Sequence, residues 1–219
     1  HRDKYHELIE AMLSSSYSTV EVAQAIPIKM LQLANLFWSK DEDEEDDGYS
    51  PRIGVEGSFG ITENRQAYFP ASSYQTPIYM LLRFAPKETI DFILNFTNKS
   101  VITYSKSELS ENEIREVEVF IQDGLPIKQY MSNRLWEMYR GTHVSTSLLE
   151  SMHMALEKWL LEYAKTASNE ELEALCIYLL KNSKSASISA VVTSVVLANP
   201  EKLFNVAVIL FKTKEFFLY

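Results

Sequence analysis

SISAVVTSVVLANPEKLFNVAVILF, residues 187–211, decides how this chain folds. Its first half is small and β-branched and carries no charge. Asn199 and Pro200 interrupt it. Asparagine accepts orphan amides at a helix start, and proline fits the first helical position because no carbonyl waits for its missing N–H. The second half is again apolar at helical spacing. The stretch therefore predicts two helices, 187–198 and 200–212, folded against each other through a tight turn.

The pattern has an echo. FAPKETIDFILNFTNKSVITY (84–104) and ANPEKLFNVAVILFKTKEFFLY (198–219) share a proline at the helix start, an apolar stripe, a Thr and Lys pair and a closing tyrosine, 114 residues apart. An apolar helix precedes each. Ser–x–x–Glu patterns, which satisfy helix-start amides reciprocally, recur at Ser18 and Glu21, Ser110 and Glu113, Ser147 and Glu150, and Ser168 and Glu171. Thr76 and Pro77 repeat the cap-and-proline signal, and Gly124 and Gly141 stand at helix stops. Together they predict helices over 2–14, 19–25, 27–39, 77–84, 86–104, 111–123, 126–140, 148–166, 169–181, 187–198 and 200–212. The fold class is all-α, antiparallel helical hairpins arranged as an α-solenoid or an irregular bundle. A short hairpin within 49–70 is the one expected β element. The layout is N-terminal helices over 1–40, an acidic and glycine-containing loop over 41–72, and a helical repeat-like region over 73–219.

In its small first helix, Asn-Pro turn and amphipathic second helix, the 187–211 stretch resembles a HEAT or armadillo-type repeat, and the likeness extends loosely to 76–104. More faintly the chain looks like an interior helical stretch of the large bacterial ATP-binding defence proteins that carry a STAND-type nucleotide switch. The first resemblance implies stacked helix pairs that bind proteins. The second implies an accessory or sensor region of a nucleotide-dependent switch.

Hydrophobic residues make up 46% and charged residues 23%, a balance that lets 219 residues bury a real core. The acidic run 41–47 supplies seven of the nine net negative charges, so the remainder is nearly neutral. A nucleic-acid platform or an anionic membrane surface needs a basic face, and this chain has none to offer. Cys176 is the single cysteine, which precludes an intrachain disulfide and suits a reducing, cytoplasmic setting. The chain begins at His1 and ends on aromatic residues. We therefore expect a fragment of a longer polypeptide, whose Phe216, Phe217 and Tyr219 need a cover.

Each candidate chemistry lacks a part. A calcium loop with Asp43, Glu45 and Asp47 as early ligands and Gly48 at its turn would close on Gly54, which has no carboxylate. Gly54, Gly57 and Gly60 lack the lysine and hydroxyl of a phosphate loop. Glu150, His153 and Glu157 share one side of a helix, and Glu–x–x–His is a di-iron signature. No second copy exists, and the apolar stripe centred on Met152 leaves the three on its solvated flank. Cys176 sits in an apolar helix, and His143 has no spaced partner. Asn95 and Asn98 match the short glycosylation pattern by chance. Trp136, Tyr139 and Arg140 form an aromatic and arginine group of the kind favoured at protein contacts. The expectation is a non-catalytic interaction module with no cofactor or metal. It contacts a protein partner or the rest of its own chain through Phe216, Phe217, Tyr219, Trp136, Tyr139 and Arg140. A metal-binding helical domain using Glu150, His153 and Glu157 is the alternative from another class.

Overall fold

The computed structural model describes residues 2–40 apart from 16 and 18, 55–62, 68–121, 126–142 and 145–218. Eleven α-helices occur among these residues: α1 (Arg2–Leu13), α2 (Val20–Ala25), α3 (Pro27–Trp38), α4 (Val55–Ser58), α5 (Ile78–Phe84), α6 (Pro86–Tyr104), α7 (Asn133–Glu137), α8 (Ser147–Tyr163), α9 (Asn169–Asn182), α10 (Ala186–Ala198) and α11 (Phe204–Phe211). The fold is mostly α, as expected. The acidic run, the calcium-type spacing and His143 lie outside the described residues.

The expected helix 111–123 is not formed in its described part, and the expected helix 126–140 is helical only in its last part, over α7 and the 3-10 turn Met138–Arg140. Between α6 and α7 stands an antiparallel hairpin, β1 (Arg115–Val119) against β2 (Ile127–Met131), with Val117 facing Gln129 and Val119 facing Ile127. Val117 and Val119 are buried and Glu116 and Glu118 exposed, the two-residue period of a strand. Ser110 and Glu113 do not form a capping box. The Ser110 hydroxyl donates to Ser107 O, and the Glu113 carboxylate accepts from Tyr104 and Arg134. The β element expected within 49–70 lies partly outside the described residues. Its described part contains α4, and Ile61 makes only an isolated bridge to Ser39.

α10 is the centre of the molecule. It packs against α7, α8, α9 and α11 and touches β2. Ala186 to Val192 are all buried, so the first two turns of this helix are covered all round, as small residues allow. α10 thus has helices on several sides within a mostly α core. Burial here overrides the weak helix preference of its valines.

Local signals hold where they are complete. Pro86 opens α6 on the expected residue, and Ser168 with Glu171 forms the full reciprocal cap on α9. Elsewhere they shift. Thr146, one residue before Ser147, caps α8 by accepting from Leu149 N, while Glu150 accepts from Ser145 N. Asn199 ends α10 rather than starting the next helix, and α11 begins four residues past Pro200. The intervening Lys202 donates to the Ala164 and Ala167 carbonyls past the end of α8 (2.8 and 3.1 Å), where positive charge is favoured.

The N-terminal helices join the same core. Trp38 contacts Phe92 and Phe96 on α6, and its indole N–H donates to the Tyr68 hydroxyl at 2.7 Å. Phe59 stacks on Tyr104 with ring centres 4.4 Å apart. α5 is tied to α8 where the Tyr79 hydroxyl donates to Glu162 at 2.5 Å, beside the Lys158–Glu162 pair.

Candidate functional site

α11 has more apolar residues than one face can hide. Val206, Ile209 and Leu210 turn inward. Phe204, Val208 and Phe211, at i, i+4 and i+7, line the opposite side and remain 69%, 38% and 68% exposed. The short 3-10 helix Lys214–Phe217 then folds back, and Phe217 stacks on Phe211 with ring centres 5.2 Å apart. Phe217 is half exposed and Leu218 is exposed. The result is an outward aromatic row, flanked by the exposed Lys212 and Lys214.

The expected contact residues divide. Phe216 is not available to a partner: it is 4% exposed and stacks on Trp136 at 4.9 Å, so the fold itself provides its cover. Phe217 belongs to the outward row. Tyr139 and Arg140 pair with each other, the guanidinium Nε donating to the tyrosine oxygen at 3.2 Å. Tyr219 lies outside the described residues. Phe204, Val208 and Phe211 were not singled out from the sequence. Their signal was present as a second apolar stripe in a helix whose first stripe was already sufficient for the core.

Glu150, His153 and Glu157 do not stand on a solvated edge together. Glu150 and His153 are fully buried, because α10 covers this side of α8 with small residues. Each group has its own partner: Glu150 takes Ser145 N, and Glu157 takes the Ser194 hydroxyl. The His153 Nδ1 lies 2.7 Å from Leu149 O and must carry the proton. Nε2 then accepts from the Ser187 hydroxyl at 2.9 Å, and Ser187 Oγ lies 2.8 Å from Ser185 Oγ. Burial pushes the imidazole down to about 4, so it is neutral at pH 7. With both nitrogens engaged inside the core, His153 offers no lone pair to a metal. Among the described residues no three His, Cys, Asp or Glu side chains converge as a metal set. Burial likewise pushes the Cys176 thiol up to about 12, far from a nucleophilic thiolate.

Two of the clefts among the described residues bear on chemistry. One, of about 540 Å³, is lined by Ile114 and by the polar residues Asn112, Glu113, Arg115, Asn133, Arg134 and Glu137. Its Arg134 and Glu113 already neutralise each other at 3.2 Å, and the guanidinium holds the carboxyl below its usual range. The other, of about 350 Å³, lies between α6, α8 and α9, with Trp159, Tyr163 and Tyr178 among its walls. Among the described residues no helix is long and apolar enough to cross a membrane. No protein-family model matches this chain, and no curated protein matches it.

Proposed function

We infer that this chain is a helical protein-contact module, without catalysis of its own, that docks through the outward face of α11. The supporting observation is the row Phe204, Val208 and Phe211, with Phe217 stacked on its end, apolar and exposed on a helix whose other side is already committed to the core. Aromatic side chains give large contact area at low entropic cost, and contiguous apolar exposure marks contact surfaces. Its cover is another apolar protein surface, from a partner or from the same polypeptide. The repeat-like hairpin of α10 and α11 serves in this reading as the rigid base that presents the row.

A photoreactive phenylalanine analogue at position 211 tests the reading in the cell. It should cross-link to one reproducible set of peptides, while the same analogue at Glu21, on exposed α2, should not. Replacing Phe204 and Phe211 together by serine should abolish competition by added protein for that cross-link and leave the melting temperature nearly unchanged. Cross-linking no more specific at 211 than at 21 would sink the proposal.

A further inference from the structure

We propose that the cleft between α6, α8 and α9 binds the zwitterion of an amino acid with a large apolar side chain. In this site Asp91 holds the ammonium group, Lys87 the carboxylate and the aromatic wall the side chain. The wall comes first. Trp159 and Tyr163 on α8 stack with ring centres 5.2 Å apart and planes 5° from parallel, a rigid aromatic pair on one wall of the cleft. Ile90 on α6 and Leu175 on α9 complete the apolar lining. The cleft volume of about 350 Å³ lies at the small end of ligand sites, right for one side chain and its backbone atoms.

The charges make the choice of ligand. Lys87 and Asp91 both line the cleft and stand four residues apart on α6, on one side of the helix. Such positions are about 5–6 Å apart at Cβ, the span over which an ammonium and a carboxylate on one carbon can each meet an opposite charge. Neither side chain makes an ion pair with a described residue. Asp91 is oriented instead by the Tyr178 hydroxyl, which donates to Oδ1 at 2.5 Å and leaves Oδ2 for a second donor. Lys87 is the second residue of α6, where the positive end of a 19-residue helix also favours a carboxylate. A simple organic cation would use Asp91 and the aromatic faces but meet repulsion from Lys87. A simple acid would meet the reverse. The zwitterion satisfies both.

Calorimetric titration of the whole chain with L-phenylalanine, phenethylamine and 3-phenylpropionate separates the parts. The amino acid should bind, and each analogue lacking one charge should bind about tenfold or more weakly, the worth of one charge-assisted contact. Asp91→Asn should weaken the amino acid and phenethylamine but not 3-phenylpropionate; Lys87→Gln should weaken the amino acid and 3-phenylpropionate but not phenethylamine. Trp159→Leu should weaken all three alike. Equal binding of the three ligands would show a merely greasy groove and overturn the proposal. So would the absence of binding by phenylalanine, tryptophan and leucine up to their solubility limits. The proposal does not rest on the α11 contact surface, and neither experiment bears on the other.

Discussion

The Ser187 hydroxyl donates to Nε2 of His153 at 2.9 Å, joining α10 to α8 through a histidine with no exposed surface. A buried neutral imidazole makes stability depend on acid. Its proton affinity in the fold is lowered, to about 4 against 6.5 in the open chain. Above pH 6.5 both states are neutral and the group contributes no pH dependence. Between 6.5 and 4 the unfolded chain takes up the proton and the folded chain does not, so stability falls as pH falls. The full loss is ~3 kcal/mol, reached below about pH 4. Urea unfolding at pH 7.0, 6.0 and 5.0 should show this decline in the wild type and a flatter profile in His153→Gln. The carboxylates held low by their partners, Glu113 and Glu162, lose their contribution only at lower pH, as they protonate.

Phe216 and Phe217 are neighbours in sequence with opposite fates. Phe216→Ala empties the site against Trp136 and should cost about 3–4 kcal/mol. Phe217→Ala removes a half-exposed ring and should cost about 1 kcal/mol or less. Chemical denaturation of the two variants measures the difference. Equal losses would mean that the end of the chain is not anchored as described.

Gln129 fastens the hairpin to the helices. It is 1% exposed, its Nε2 donates to Leu180 O at 3.3 Å, and its Oε1 accepts from the Ser189 hydroxyl at 2.6 Å. Gln129→Leu leaves both partners buried and unsatisfied, for an expected loss of about 2–3 kcal/mol. Adding Ser189→Ala should recover part of that loss, a coupling that a double-mutant cycle reads directly.

Gly141 and Gly57 form a second contrasting pair. Gly141 adopts φ +63°, and a Cβ there would lie 2.8 Å from Met154 Sδ. Gly141→Ala should destabilise by about 1–2 kcal/mol. Gly57 lies in α4 with open space around its Cα, so Gly57→Ala should be neutral or mildly stabilising. Thermal melts of both variants check the two signs together.

Cys176 should resist a thiol reagent at pH 8 in the folded chain and react at once in urea. Burial both shields the sulfur and pushes its ionisation up to about 12. Fast labelling of the native protein would contradict the packing of α9.

The amino-acid order by itself determined the long helices, because their signals are short-range. Pro86 opens α6, Ser168 and Glu171 close a reciprocal cap on α9, and apolar residues recur with the helical period between such marks. These bonds join residues three or four apart and need no distant partner. The hairpin was hidden for the opposite reason. Val117 and Val119 are only two alternating positions, and what holds β2 in place is Gln129 reaching α9 and α10. The inner position of His153 was equally illegible, since α8 offers that flank to whatever packs there, and only the small residues of α10 come close enough to cover it. Tertiary packing alone settled which aromatic residues are spent inside the fold and which face outward. Burial depends on where helices distant in sequence come to lie, and a helix with two apolar stripes does not state which one will meet the core.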